Sequence, residues 1–141
     1  MEGMILTNVN EVALEILESE HIGVMVTNQE NRPIAKYMTF QNDGYDLYTL
    51  IQQDTFAKMN TMYPFTHILL GYEKGSTFET FVEYEGQFSV SDNQEIAKKL
   101  KEIYPQATDD DYTLLHITPN RLRIMNKAGE NQEEIIFNEK F

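Results

Sequence analysis

The fold is decided by residues 33–51, PIAKYMTFQNDGYDLYTLI. Residues 33–40 are rich in β-branched and aromatic side chains, and a proline is tolerated at the first residue of a strand. Asp43-Gly44 then favours a tight turn, because glycine adopts a positive φ at no steric cost. The return segment, residues 45–51, alternates between two faces, with Tyr45, Leu47, Thr49 and Ile51 on one of them. The stretch therefore predicts a β-hairpin.

The segment that follows this hairpin adds a second basic residue. Residues 54–62 are compatible with a short helix that carries Lys58, and residues 67–71, HILLG, predict a third strand. Lys36 on the first strand of the hairpin and Lys58 on the short helix after the hairpin then form one grouping. This grouping is the candidate site for an anionic ligand, although a lone lysine is usually a solvated surface residue.

Elsewhere the sequence predicts two amphipathic helices and further short strands. The first helix is residues 8–20, capped by Asn8 or Asn10. The second helix follows a Ser91 or Asp92 cap and ends at Pro105, and its apolar side carries Ile96, Leu100, Ile103 and Tyr104. The strands are residues 22–27, which we expect to be covered on both faces, 77–90, 112–118, 121–125 and an edge strand through 135–137.

Three turns or irregularities separate or bend these strands. Residues 28–32 form a polar turn, Pro119-Asn120 is a second turn, and Gly86 indicates a bulge or a close approach of another backbone. Six or seven short strands at hairpin spacing, with two helices at connections, predict a mainly β antiparallel barrel or sandwich. They argue against a parallel α/β sheet.

Composition limits the possible functions. The 141 residues predict one domain, with a core of about residues 8–126 and an acidic tail at 127–141. The chain has no cysteine, which excludes disulfides and thiolate chemistry and fits a cytoplasmic protein. A net charge of −12 disfavours nucleic acid and anionic membranes as partners. The start of the chain lacks the pattern of a signal peptide, and we expect no membrane span.

The three histidines do not indicate a metal site. His21, His67 and His116 are far apart in sequence, and none forms a pair at ligand spacing. We expect His21 to lie at a helix C-terminus, where the helix dipole favours it. We expect His67 and His116 to be core or interface histidines with satisfied hydrogen bonds.

The order of these elements resembles a known family. A helix, HIGVMVT, NRPIAKYMTF, DGYDLYTL, a lysine-bearing helix, HILLG, VEYEGQFSV, a helix and YTLLHITPNRLRIM follow one another over residues 8–126. This order is similar to the pyridoxamine 5′-phosphate oxidase-like FMN-binding split barrels, and most closely to the general stress protein 26 branch. The resemblance implies a six-stranded antiparallel Greek-key split barrel with two or three flanking helices. It also implies a homodimer with FMN at the interface.

The resemblance assigns candidate residues to an FMN site. Lys36 and Lys58 would meet the phosphate, and Tyr37, Met38 and Thr39 would run along the flavin ring. The family's hydroxyl position at the end of the hairpin strand falls on Gln52, with Thr49 close by. Its second hydroxyl position falls on Phe56, with Thr55 close by. The candidate cofactor-binding residues are Lys36, Tyr37, Met38, Thr39, Thr49, Gln52 and Lys58, together with Phe81 of the second subunit, which could stack on the ring.

Three hypotheses for function remain open. The chain is an FMN-dependent oxidoreductase acting on an unknown small molecule, a flavin-binding protein without dedicated catalysis, or a ligand-free dimer that keeps only the fold. Catalytic residues are not identified by the sequence. The acidic tail disfavours a vitamin-specific oxidase. The dimer is supported by the number of large aromatic residues that a small barrel cannot all cover, namely Tyr37, Phe40, Phe78, Phe81 and Phe88.

Overall fold

The strands form one antiparallel sheet that closes on itself. A computed structural model describes residues 9–71, 80–105, 111–126 and 131–137, and within them the chain has seven strands and three helices. Residues 77–79, Phe78 among them, and Asn8 lie outside these ranges. The elements are α1 (Val9–Ser19), β1 (Ile22–Gln29), β2 (Arg32–Asp43), β3 (Asp46–Gln52), α2 (Gln53–Ala57), β4 (Phe65–Leu70), β5 (Thr80–Val90), α3 (Gln94–Ile103), β6 (Tyr112–Asn126) and β7 (Asn131–Ile136).

The strand order is that of a Greek-key barrel. The strands lie in the order β3-β2-β1-β4-β5-β6-β7, and β3 also pairs with β6, which closes a barrel of six strands. The order β4-β1-β2-β3 places the fourth strand beside the first, as in a Greek key. β7 lies outside the closed barrel on the edge of β6. The mainly β split-barrel fold predicted above is therefore confirmed.

The two hairpins that build β1, β2 and β3 use residues with positive φ. Glu30 and Asn31 have φ values of 52° and 65°, the two positive values that a type I′ turn needs. The predicted polar turn at 28–32 is thus reduced to these two residues, and Gln29 pairs with Arg32. Gly44 has a φ of 62° and turns the chain into β3, as predicted.

The core fills the barrel and continues under α1. Tyr84, Phe40, Leu115 and Leu122 are fully or almost fully buried, and α1 contributes Ala13, Ile16 and Leu17 to the same cluster. The Tyr84 hydroxyl donates to the carbonyl oxygens of Tyr45 (2.7 Å) and Ile117 (3.2 Å), so the buried polar atom is satisfied. Burial raises the pKa of Tyr84 well above its ordinary value.

α3 covers the outer face of β3 and β6. Ile96, Ala97 and Leu100 pack against Tyr48, Leu50 and Leu114. The cap of this helix is Asn93, whose side chain accepts a hydrogen bond from the Ile96 N–H at 3.2 Å, so the predicted Ser91 or Asp92 cap is wrong. Ile103 and Tyr104, predicted to be buried, are 40% and 37% exposed because the helix ends there.

The outer face of β1 is only partly covered within this chain. Gly23, Met25 and Thr27 point into the barrel and are buried, whereas Val24 and Val26 on the other face are half-buried. The prediction that both faces are covered therefore holds for the inner face alone. In the described parts of the chain, every helix is too short or too polar to span a bilayer.

β6 is one continuous strand, so the predicted turn at Pro119-Asn120 is wrong. Its register against β5 shifts there: Gly86 pairs with Pro119 and Glu85 pairs with Arg121, which leaves Asn120 as the extra residue of a bulge. The bulge predicted at Gly86 is confirmed. A Cβ at Gly86 would lie 2.5 Å from the Thr118 carbonyl oxygen, so the predicted close approach is also present.

Two further sequence predictions change at the ends of elements. α2 is only five residues long, and Lys58 lies just beyond it, because Met59 forms a bridge to Gln29 of β1. The predicted edge strand is present as β7, so part of the acidic tail belongs to the sheet. There Arg121 of β6 contacts Glu134 of β7 at 3.8 Å.

We expect Gly86→Ala to lower the free energy of unfolding by about 1–3 kcal/mol, because a buried methyl group must displace a backbone carbonyl. Urea denaturation followed by circular dichroism measures the loss. Ser89→Ala, at an exposed residue of the same strand, is the control and should change the stability by less than about 0.5 kcal/mol. Equal stability of the two variants would contradict the close approach at Gly86.

Candidate functional site

β2 changes its partner halfway along its length, and this opens the barrel wall. Residues 32–39 of β2 pair with β1, whereas β2 pairs with β3 only from Phe40, opposite Thr49, to Asp43, opposite Asp46. β3 pairs with β6 over residues 47–52, so beyond Thr49 its residues 50–52 pair with β6 alone. The two strands therefore diverge after the Phe40–Thr49 pair, and a cleft lies between them.

The cleft has a volume of about 260 Å³. β2 forms one wall, β3 and Tyr112 of β6 form the opposite wall, and α2 and α3 each add side chains. The lining residues are Lys36, Tyr37, Met38, Thr39, Leu50, Ile51, Gln52, Thr55, Leu100, Tyr104 and Tyr112.

The edge of β2 presents backbone groups to the cleft. The Phe40 N–H donates to the His21 carbonyl oxygen at 2.6 Å, on the β1 side of the strand. Hydrogen-bonding groups of successive strand residues point in opposite directions, so those of Thr39 and Tyr37 point toward the cleft. The Thr49 hydroxyl donates to the Thr39 carbonyl oxygen at 2.7 Å, which agrees with this direction.

The polar end of the cleft contains a lysine and a threonine. Lys36 is exposed, and its Nζ lies 3.4 Å from Oγ1 of the buried Thr55, to which it donates. Among the described residues that line the cleft, Lys36 is the only charged one. This end of the cleft can therefore bind an anionic group with one ammonium and one hydroxyl.

Tyrosines dominate the remaining lining. Tyr104 and Tyr112 contact each other edge to face, with ring centroids 6.2 Å apart. The hydrogen bond with Tyr112 raises the pKa of the Tyr104 hydroxyl above its ordinary value, so this hydroxyl is neutral at physiological pH. Tyr37, on the opposite wall, is 71% exposed. Three aromatic rings, one of which carries a neutral hydroxyl, suit a planar aromatic ligand.

Five of the eight predicted site residues meet in this cleft: Lys36, Tyr37, Met38, Thr39 and Gln52. The other three lie elsewhere. Thr49 is fully buried behind the edge of β2, and Phe81 is buried in β5 with 6% exposure. Lys58 is exposed beyond the end of α2. The roles of all eight as cofactor ligands stay predictions.

Other lining residues were absent from the predicted set. Thr55 was considered only as a neighbour of a family position, and the structure brings its hydroxyl to Lys36. Tyr112 lines the cleft because it pairs with Gln52 between β6 and β3. Tyr104 lines the cleft because α3 ends beside Tyr112. Neither can be found from local sequence, since both depend on the closure of the barrel by β3 and β6.

The histidines lie outside the cleft lining. His21 Nδ1 contacts the Phe40 carbonyl oxygen at 3.0 Å, so it ties the end of α1 to β2. His116 bonds to Asp46 at 2.7 Å and stacks on Tyr48, as expected of a satisfied histidine. Among the residues described, no group of three or more potential metal ligands occurs.

His67 belongs to a network of ion pairs on the outer face of β4, β5 and β6. Its Nε2 lies 3.6 Å from Glu85, a carboxylate that is 2% exposed. Arg121 donates to both Glu85 oxygens at 2.9 Å, and Arg123 binds Glu83 and Glu85. Because both Glu85 oxygens are paired with guanidinium groups, the buried carboxylate is compensated.

Comparisons with known proteins agree with this architecture. A scan of the sequence against protein-family models finds no match. The chain is 30% identical over 129 residues to general stress protein 26 of Bacillus subtilis, which covers 87% of this chain and 91% of that protein. A putative pyridoxamine 5′-phosphate oxidase from Listeria innocua superposes with a TM-score of 0.66 at 28% identity, covering 84% of this chain and 97% of that one.

A third similarity is structural only. A FAD-binding protein from Mesorhizobium loti superposes with a TM-score of 0.62 over 82% of this chain and 92% of that one. At 8% identity this similarity concerns the fold alone.

The fold and the opened wall define an antiparallel split-barrel protein. The identity to general stress protein 26 over nearly the whole of both chains is more specific. The chain belongs to the pyridoxamine 5′-phosphate oxidase-like split-barrel family, in its general stress protein 26 branch.

We expect Thr49→Val to lower the free energy of unfolding by about 1–3 kcal/mol, because the Thr39 carbonyl oxygen loses its hydroxyl partner while the side-chain volume stays similar. Chemical denaturation monitored by tyrosine fluorescence gives the value. The control is Thr118→Val, at an exposed strand residue whose hydroxyl lies 3.5 Å from its acceptor. An effect no larger than that of the control would show that the bond does not hold the edge of β2.

Proposed function

We propose that this chain is a cytoplasmic flavin-binding protein that holds FMN in the cleft between β2 and β3. In this proposal it works as a homodimer and as an oxidoreductase on a small molecule. The observation that carries the proposal is the cleft itself, where a strand edge, three tyrosines and Lys36 line one cavity. Membership of the pyridoxamine 5′-phosphate oxidase-like family, whose resemblance implies FMN, supports a flavin as the cofactor class.

The residues of the cleft fit the two chemical parts of FMN. The ring of a flavin is planar and has a polar edge, which the backbone groups of Tyr37 and Thr39 can hydrogen-bond. The Lys36 ammonium and the Thr55 hydroxyl, 3.4 Å apart, offer donors for the phosphate. Gln52 adds an amide at the same wall.

The protein's own part in catalysis would be binding and orientation. A bound flavin supplies hydride or single-electron transfer. Leu50, Ile51 and Leu100 provide apolar surface that keeps water from one side of the cleft. The raised pKa of the Tyr104 hydroxyl keeps its proton in place, and the Tyr112 ring lies edge to face against Tyr104.

A flavin-binding protein without turnover is the second candidate. It is favoured by the composition of the cleft, where Lys36 is the only lysine, arginine, aspartate or glutamate among the described lining residues. The two candidates differ in one measurement. Steady consumption of a nicotinamide electron donor with a small acceptor supports the oxidoreductase, whereas stable flavin binding without consumption supports the second candidate.

Purified protein that is mixed with excess FMN and desalted is expected to keep about one FMN per chain, seen as flavin absorption bands. Gln52→Glu should weaken FMN binding about fivefold, because it adds a carboxylate to the cleft. Gln53→Glu, at the exposed neighbour outside the lining, should change it less than about twofold. If no flavin is retained by the unchanged protein, the proposed function fails.

The homodimer is supported by an apolar outer face beside the cleft. Val24 pairs with Tyr37 on one side and with Leu69 on the other, and Ile22 is 49% exposed on the same face. The cleft of about 260 Å³ is smaller than typical complete ligand pockets of roughly 300–1,000 Å³. A second chain docked on this face would complete it.

The large aromatic residues from which the sequence predicts a dimer are mostly covered within the chain. Phe40, Phe81 and Phe88 are buried by the chain itself, with exposures of 1%, 6% and 6%. Tyr37 alone among the described members of that set remains largely exposed. The case for the dimer therefore depends on the outer face of β1, β2 and β4.

Sedimentation equilibrium is expected to give twice the chain mass of 16.4 kDa for the unchanged protein. Val24→Glu should raise the dimer dissociation constant at least about tenfold, since a charge at the centre of an apolar interface is left unpaired. Gln94→Glu adds the same charge at an exposed residue of α3 and should leave the dimer intact. A monomer at all concentrations would refute the dimer.

A further inference from the structure

We infer that the cleft recognises the ring of its flavin and gains little from the phosphate, so that riboflavin binds almost as well as FMN. Riboflavin has the same ring but lacks the phosphate. This inference rests on the proposed flavin function and adds the class of ligand that the site accepts. It follows from three features: the charge at the polar end, the place of Lys58, and the aromatic lining.

The polar end of the cleft is weakly cationic. A phosphate carries nearly two negative charges at neutral pH and is bound most strongly by paired cations or an arginine fork. Here Lys36 is the only cation among the described lining residues, and its ammonium already donates to Thr55 at 3.4 Å. The side chain of Lys36 is also exposed, so water screens it. The net charge of −12 adds an unfavourable field.

Lys58 does not supply the second cation within this chain. The Lys58 carbonyl oxygen accepts a hydrogen bond from the Glu30 N–H at 3.2 Å, and Met59 bridges to Gln29. These contacts fasten the segment after α2 to the turn between β1 and β2. The exposed Lys58 side chain is not part of the cleft lining. The described lining therefore contains one of the two lysines that the sequence predicted for the phosphate.

The lining for the ring is more extensive than the polar end. Tyr37 lies on the β2 wall, and the contacting pair Tyr104 and Tyr112 lies on the other. Leu50 and Leu100 add apolar surface between them. Aromatic and apolar contacts of this kind do not depend on the charge of the ligand, so FMN and riboflavin gain equally from them.

The experiment titrates FMN and riboflavin into the flavin-free protein and follows the quenching of flavin fluorescence. The two dissociation constants are expected to differ by less than about tenfold, the contribution of one exposed ion pair. Lys36→Gln should raise the dissociation constant of FMN to that of riboflavin and leave the dissociation constant of riboflavin unchanged. Lys58→Gln, the matched control, should change neither. Tyr104→Leu, at a half-exposed residue, should weaken both ligands by the same factor.

Three results would overturn the inference. FMN binding more than about a hundredfold tighter than riboflavin would show a strong phosphate site. Selective weakening of FMN by Lys58→Gln would place a second cation in that site. Failure of both flavins to bind would overturn the proposed function as well, and this outcome differs from the first two, in which FMN still binds.

Discussion

The closure of the barrel by β3 and β6 is the constraint on which the site depends. A sheet closes only when its strands tilt and shift in register, so β3 cannot follow both neighbours along its whole length. Residues 47–52 pair with β6, whereas only residues 46–49 pair with β2. The pairing that encloses the core therefore also pulls the end of β3 away from β2. The cleft is a consequence of closing the barrel, and it has rigid strands for walls.

A second constraint lies in β6, which pairs first with β3 and then with β7 along its length. Its first half pairs with β3 up to Ile117, and its second half pairs with β7 from Arg121. The bulge at Asn120 separates the two halves and bends the strand, and Gly86 lets the backbones approach there. From local sequence alone, Pro119-Asn120 predicts a turn, because proline and asparagine favour turns. Pairing with the neighbouring strand β5 keeps β6 continuous there instead.

Local signals in the sequence were sufficient for the two hairpins of β1, β2 and β3, for α1 and for the bulge at Gly86, whereas the Greek-key barrel was expected only from the family resemblance. They failed where a partner distant in sequence decides the outcome. α2 ends early because Met59 bridges to Gln29, and this leaves Lys58 outside the cleft lining. Tyr112 joins the cleft only through its pairing with Gln52. Five of the residues that line the cleft could be named in advance because they cluster on the diverging strands, whereas the lining residues at the end of α3 could not.

The composition of the cleft explains why no sequence motif reports its function. A nucleotide-binding loop needs glycines at fixed spacing because its turn geometry requires them. A diverging strand edge presents backbone N–H and C=O groups whatever its side chains are, so Tyr37 and Thr39 impose no recognisable pattern. Among the side chains, Lys36 and Tyr37 come from β2, Tyr112 comes from β6, and Tyr104 follows the end of α3. A strand edge that opens into a cleft is therefore readable from the order and register of strands, and hardly at all from residue identities.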